Sequence, residues 1–436
     1  MVSIPEKIES LAQKAQRASL QIANIPVDIR NKALDNIAVT LEKDKDEILQ
    51  QNAIDVKETE KNGISKALLK RLVLTDNKID EMIANVDAVK CLEDPVGKTL
   101  SAIELDKNLE LYQVTSPIGV IGMVFESRPD ALVQISSLCI KSGNAVIMKG
   151  GSEAHNSNKC LHSLITQAAE SASPHFKDSI ILIETREEVD VILKMDKYIQ
   201  LLIPRGSSKF VDYVKNNTKI PVLGHTEGIC HIYVDRYADL KKALDICFDA
   251  KCQYPAVCNA METLLVHKEV TEDFLPEMAE KFKSAGVEIR GCSETMKIVS
   301  DIKPASEQDW VTEYNDLILS IKIVSNIEEA IEHINQFGSH HTDAIATEDK
   351  ESGTRFLNSV DSSSVMQNCS TRFSDGYRYG KGAEVGISTN KIHARGPVGL
   401  EGLVIYKYLL VGNGQTVAQY TGKDAKKFTH KKLERY

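Results

Sequence analysis

The chain has 436 residues, 42% of them apolar and 26% charged, with a formal net charge of -9. That length exceeds one ordinary core and predicts two or three domains of a soluble globular protein, while the acidic balance argues against a nucleic-acid surface. The nine cysteines are scattered with no CxxC pair, which argues against a disulfide framework and a zinc motif, so no metal is expected. The opening MVSIPEKIESLAQ has no basic region followed by an apolar core, and the longest strongly apolar run, IGVIGMVF at 118–125, is too short to span a bilayer. A cytoplasmic, reduced protein without membrane contact is expected.

Residues 3 to about 95 read as helices, because SKALLKRLVL and KIDEMIANVDAVKCL repeat apolar positions at three- and four-residue spacing. NLELYQVTSP (108–117) then reads as an isolated β-ribbon. Short apolar runs follow at VIGMVF (120–125), NAVIMKG (144–150), SIILIE (179–184) and IQLLIP (199–204), separated by helix-like stretches. This alternation predicts a parallel sheet with helices on both faces, which binds ligands at the carboxyl ends of its strands. A second α/β unit is expected from CHIYVD (230–235), METLLVH (261–267), LILSIKIV (317–324), the helix IEEAIEHINQFG (327–338) and TDAIAT (342–347). GLVIYKYLLVG (402–412) is a second long ribbon. Ribbons so far apart leave exposed edges unless they pair with each other or with another chain, and they are read as an oligomerisation flap. The basic end KDAKKFTHKKLERY reads as a solvated terminal helix or tail.

No G-x-G-x-x-G follows a strand, and GKGAEVG (380–386) has the wrong spacing. Two other features suggest a dinucleotide. Lys149 ends a predicted strand and can meet an adenosine ribose or its 2′-phosphate, with the Gly150–Gly151 turn allowing close backbone approach. Gly206, Ser207 and Ser208 open a helix whose free N–H groups suit a pyrophosphate, although serine is also an ordinary N-cap. His340 and His341 are adjacent, which favours loop or supporting roles over metal ligation.

The blocks SPIGVIGMVFESRPDALVQISSLCIKSGNAVIMKGGSEA, LIPRGSSKFV, YPAVCNAMETLLVH, AIEHINQFGSHHTDAIAT and STRFSDGYRYGKGAEVGISTNKIHARGPVGLEGL follow one another across roughly residues 5–415. Together they resemble the aldehyde dehydrogenase superfamily, and within it the branch that reduces γ-glutamyl phosphate. The resemblance implies an α/β fold of the aldehyde dehydrogenase type. Its expected parts are a Rossmann-type NADP-binding domain (1–107 and 119–233), an α/β catalytic domain (234–390), a β-flap for oligomerisation (108–118 and 400–415) and a basic tail (416–436).

It also implies that Cys258 is the nucleophile, forming a thioester that hydride converts to a thiohemiacetal and then an aldehyde. Ser127 falls near the place where many relatives have an asparagine that stabilises the oxyanion. Arg128 is a candidate for the substrate's phosphate or carboxylate, and so are Arg372 and Arg395; surface ion pairs are the alternative for each. Glu313, within TEYNDLILSIKIV, corresponds to the glutamate that holds the nicotinamide ribose. Where relatives that hydrolyse the thioester carry a water-activating glutamate, this chain reads GHTEGICHIYVD, with Glu227 nearby but a different motif. A missing base there points toward reduction of an acyl phosphate. Ser152, small and neutral, leaves room for a 2′-phosphate and favours NADP(H), unless the adjacent Glu153 points inward.

The expected substrate is L-glutamyl 5-phosphate, in a homo-oligomer that can associate with the upstream glutamate 5-kinase. Two alternatives stay open: a relative acting on another acyl phosphate, an acyl-CoA or an aldehyde, and a non-catalytic nucleotide-binding scaffold.

Overall fold

The computed structural model describes residues 3–63, 66–126 and 128–433, with the backbone alone for 66–68. Five helices open the chain: Ile4–Ile22, Val27–Lys43, Lys45–Lys61, Lys66–Leu72 and Asp76–Cys91. The first begins at Ser3, whose side chain accepts from the Glu6 N–H while Glu6 caps Ser3 in return. Its buried stripe, Ile8, Ala12, Ala15 and Ile22, joins the core of the sheet that follows.

The strands in chain order begin with β1 (Thr99–Asp106), β2 (Leu109–Pro117), β3 (Val120–Phe125), β4 (Ala145–Lys149), β5 (Ile180–Ile183) and β6 (Leu201–Arg205). The last four form a parallel sheet in the order β5-β4-β3-β6. Helices cover both faces, so these strands carry continuous apolar runs rather than alternation. From β3 the chain builds outward through β4 and β5, then returns to lay β6 on the other side. The order therefore reverses between β3 and β6, and a crevice opens at their carboxyl ends.

Next come β7 (Cys230–Val234), β8 (Met261–His267), β9 (Glu288–Gly291), β10 (Lys303–Pro304), β11 (Ile318–Val324), β12 (Thr342–Ala346) and β13 (Ser364–Gln367). They form one parallel seven-stranded sheet, ordered β10-β9-β11-β8-β7-β12-β13. The helices Leu240–Cys252 and Thr271–Ser284 pack on one face, while Ile327–Phe337 and Lys350–Ser359 pack on the other, each against its own apolar cluster. The expected boundary between residues 233 and 234 falls inside β7. Short strands β14 (Gly386–Ser388) and β15 (Gly396–Val398) then carry the chain back, and Ala383, Val385, Val398 and Leu403 enter the first core.

The final strands are β16 (Val404–Val411) and β17 (Lys431–Lys432). β16 pairs antiparallel with β2 along its whole length, so the two separate ribbons of the sequence meet. β1 adds a third strand and β17 a fourth, giving the order β16-β2-β1-β17. Of the two expected forms, helix or tail, the described residues take the tail: one short turn, Val417–Tyr420, lies along the flap, with the Tyr420 hydroxyl donating to Asp106 at 2.7 Å and its ring stacking on Phe428.

One buried ion pair braces the second sheet. Lys251 Nζ lies 2.6 Å from Glu262 Oε2, with both side chains fully buried. Glu262 Oε1 also accepts from the Asn315 N–H at 3.2 Å. Burial pushes the Glu262 carboxyl up to about 7 and the Lys251 ammonium down, the attraction between them opposing both shifts. Removing one partner strands the other charge. Lys251→Met alone should cost about 3–5 kcal/mol in denaturant unfolding, whereas Lys251→Met with Glu262→Leu should recover most of that loss.

Candidate active site

Cys258 lies in the turn between helix Leu240–Cys252 and β8. That turn is held on every side. The Ala260 N–H donates to the Val257 carbonyl at 3.0 Å, and the Cys230 thiol donates to the Cys258 carbonyl at 3.2 Å. Asn259 donates through Nδ2 to the Ser374 carbonyl, while its own carbonyl accepts from Thr371 Oγ1, both at 2.8 Å. Gly228 packs directly beneath: a Cβ there would lie 2.1 Å from the Cys258 carbonyl oxygen and 2.5 Å from its Cα. Only glycine permits that approach.

Several other thiols are chemically quiet. Burial pushes Cys139 up to about 12 and both Cys160 and Cys252 to about 11, and it raises Cys230 and Cys247 as well. They stay protonated near neutral pH and behave as small apolar groups. Cys258 instead lines a cleft of about 650 Å³.

The cleft lies where the carboxyl ends of β3 and β6 meet the Cys258 turn. Arg71, Arg128, Arg205 and Arg372 line it. Arg372 is fixed by donating through Nε to Gln253 at 3.0 Å. Among the described residues, no hydrogen bond or ion pair engages the guanidinium of Arg128 or Arg205. Two uncommitted guanidiniums beside a thiol form a site for a dianion, because Arg keeps its charge and offers forked donors. Opposing acids are Glu313, whose carboxyl is raised by burial while Asn315 and the Gly228 N–H bond to it, and Glu384. Glu384 is likewise raised by burial and accepts from the Gly376 N–H at 2.8 Å.

His225 completes the wall, with His341 buried beside it. One ring nitrogen each of His225 and His341 and the Cys258 sulfur all lie within 4.8 Å of one another. His225 Nδ1 is 2.8 Å from the Ile387 carbonyl and so donates to it. His341 is fully buried, meets the His225 ring edge-on at 4.9 Å, and leaves Nε2 without a partner.

The structure brings Cys258, Arg128, Arg372, Gly206, Ser207 and Glu313 to this one cleft. Ser127 lies outside the described residues. Arg395 is engaged elsewhere, with Nη1 3.0 Å from Asp361 Oδ1 and Nη2 donating to the Asp361 carbonyl, and it does not line the cleft. With Nε also donating to the Thr389 carbonyl, its guanidinium is occupied away from the thiol. Glu227 is exposed and also absent from the lining.

Lys149 ends β4, 9% exposed, with its ammonium lowered chiefly by burial and influenced by Glu153, Arg186 and Glu126. Ser152 is exposed at the start of a short turn, Ser152–Ala154. The neighbouring glycines make room for this chain's own side chains. A Cβ on Gly150 would lie 2.2 Å from Asn158 Nδ2, and one on Gly151 would lie 1.9 Å from Glu153 Oε1. Glu153 therefore folds back over Gly151, the inward orientation that weighs against a 2′-phosphate.

Sequence reasoning passed over Arg205, His225, His341 as a cleft neighbour, and Glu384. Arg205 had a usable signal, since it is the last residue of a strand immediately before the glycine that opens a helix. The histidines had none, because residues 225, 258 and 341 converge only through the fold.

For a nicotinamide dinucleotide the crevice offers one open helix start and one obstacle. Helix Ser208–Asn217 starts there, and its N-cap Ser207 makes no side-chain capping bond, leaving amide donors open. The carboxylate of exposed Glu126 stands over this start, its carboxyl carbon 3.0 Å from a Cβ built on Gly206. An acid thus occupies the position expected for an anion.

Three comparisons bear on the chain. The family profile described as the aldehyde dehydrogenase family matches residues 3–296. A protein named gamma-glutamyl phosphate reductase from Methanococcoides burtonii is 56% identical over 436 residues, covering 98% of this chain and 97% of its own. One of the same name from Acetivibrio thermocellus is 54% identical over 430 residues, covering 98% and 99%. The crystal structure of gamma-glutamyl phosphate reductase from Thermotoga maritima superposes with a TM-score of 0.91 at 42% identity, over 94% of this chain and 99% of that one.

Gly228→Ala tests the seating of the thiol. The added methyl meets backbone rather than a flexible side chain, so we expect about 1–3 kcal/mol of destabilisation in a denaturant melt. Alkylation of Cys258 by iodoacetamide should slow by more than the loss of folded protein explains.

Proposed function

The chain belongs to the aldehyde dehydrogenase family, and from that premise we propose that it reduces L-glutamyl 5-phosphate to L-glutamate 5-semialdehyde with release of phosphate, the second step of proline biosynthesis. The reading rests above all on one observation: the Cys258 thiol shares its cleft with the guanidiniums of Arg128 and Arg205, which make no hydrogen bond or ion pair among the described residues.

Cys258 attacks the acyl carbon, the C–O bond to phosphate breaks, and the acyl group remains on sulfur as a thioester. Arg128, Arg205 and Arg372 hold the acyl phosphate and offset the charge that collects on the departing group. The Cys258 backbone N–H, which no carbonyl among the described residues accepts from, stands as one donor to the oxyanion. Thioesters accept hydride more readily than carboxylates, because sulfur donates less to the carbonyl. Members of this family use a nicotinamide cofactor, which supplies that hydride when bound. Gly206 and Ser207 at the helix start and Glu313 across the cleft are the residues that would hold it.

We assign the cofactor as NADP(H), with Lys149 and nearby Arg186 as cations for the 2′-phosphate and Gly150 and Ser152 beside them. Glu153 opposes this choice and must turn outward for it to hold. The unit built on β3–β6 then carries the cofactor and the seven-stranded sheet carries the nucleophile.

The flap supports a homo-oligomer. Along β16, Ile405, Tyr406, Tyr408, Leu409, Leu410 and Val411 are exposed, and the strand lies at a sheet edge. No helix among the described residues is long and apolar enough to cross a membrane, and we place the enzyme in the cytoplasm. The kinase that makes the short-lived acyl phosphate is the partner such chemistry favours.

Cys258→Ser should lower turnover at least about a hundredfold while leaving the fold intact by circular dichroism. Incubation with acyl phosphate and no dinucleotide should release one phosphate per subunit and leave an acyl adduct on Cys258 by mass spectrometry. Turnover with acyl-CoA alone would remove this substrate assignment. Lys149→Ala should raise KM for NADPH more than for NADH, and equal changes would show that Lys149 does not read the 2′-phosphate.

A further inference from the structure

We propose that His225 is the proton carrier of this reaction, taking the proton from the Cys258 thiol and delivering it to the departing phosphate. The inference deepens the reading just given and rests on Cys258 as nucleophile. Three observations converge on it. His225 is a half-buried member of the cleft wall rather than a core residue. Its Nδ1–H is committed to the Ile387 carbonyl at 2.8 Å, so the neutral ring must present an unprotonated Nε2. A ring nitrogen of His225 lies within 4.8 Å of the Cys258 sulfur, a span that one water bridges.

The acyl phosphate makes such a carrier necessary. Thiol and acyl phosphate dianion become thioester and phosphate, and phosphate departing as a trianion is strongly disfavoured. If Nε2 takes the Sγ–H proton as the S–C bond forms, it can hand that proton to the leaving oxygen as the C–O bond breaks, so phosphate departs as hydrogen phosphate. In the second half, hydride reduces the thioester carbon, and rupture of the C–S bond returns sulfur as a thiolate. Restoring the thiol takes one proton; Nε2, emptied in the first half, draws it from solvent and passes it to sulfur.

The surroundings keep the ring in the accepting form. Burial lowers the His225 imidazole, Glu313 and Glu384 push it up and Arg205 pushes it down. His341 packs edge-on from behind. Among the described residues His341 also brings a ring nitrogen within 4.8 Å of the sulfur, but it is fully buried and does not line the cleft, so it orients the ring and leaves the transfer to His225.

The test reads the thiol directly. In His225→Asn, which keeps a donor for Ile387 but cannot accept a proton, alkylation of Cys258 by iodoacetamide at pH 7 should slow about tenfold against the unaltered protein, with its pH profile moved upward. Phosphate release without dinucleotide should slow about a hundredfold, and added imidazole should restore part of it in His225→Ala. His341→Asn should leave the alkylation midpoint in place. Unchanged alkylation and phosphate release in both His225 variants would overturn the inference, as would a shift produced by His341→Asn instead. Acylation of a residue other than Cys258 would sink the underlying reading, whereas a normal Cys258 thioester with an unmoved profile would sink only the role of His225.

Discussion

The site depends on a contact between two stretches of main chain. Gly228 enters β7 with its Cα against the carbonyl and Cα of Cys258, at a distance no side chain could share. That contact sets the height of the thiol over the cleft. It also ties the turn to Glu313, because the same glycine offers its N–H to that carboxylate. Cys258 and Glu313 are thereby referenced to one point of backbone, and the side chains of Cys230, Asn259 and Thr371 hold the turn around it.

Around that point two sheets meet at opposite ends. The first presents the carboxyl ends of β3 and β6, where helix starts and strand-end arginines gather positive charge. The second presents the amino ends of β7 and β8, where the Cys258 turn sits on a rigid sheet braced by Lys251 and Glu262. A parallel sheet has a cationic, ligand-accepting end for topological reasons, and the thiol is brought to it from outside. This is why Cys258 meets the cleft while thiols such as Cys230 and Cys247 stay in the core. Its sequence neighbourhood is ordinary, and its surroundings come from distant segments.

Much of the scaffold was legible in the chain. The runs at 120–125, 144–150, 199–204, 230–235 and 261–267 all became strands, because strands buried on both faces need unbroken apolar sequence. β1 was missed because TLSAIELD mixes charge and apolar residues on a half-exposed flap. β9, β10 and β13 were missed because short, peripheral strands leave little pattern. The site was less legible. Cys258 stood out through family resemblance, since no local feature separates it from a buried cysteine. Gly150 and Gly151 looked like room for a ligand, yet Asn158 and Glu153 fill that room, which only side-chain directions can reveal. Arg395 looked like an anion binder until its pairing with Asp361 was visible.

The two borders of the flap sheet are unlike each other. On one side β17 is laid over β1 by only two pairs, Ile103 with Lys432 and Glu104 with Lys431. On the other, β16 is bare. Among the described residues, β17 thus narrows the open length of β1, while β16 keeps its full eight-residue edge, so a strand joining this sheet would find its long free border at β16.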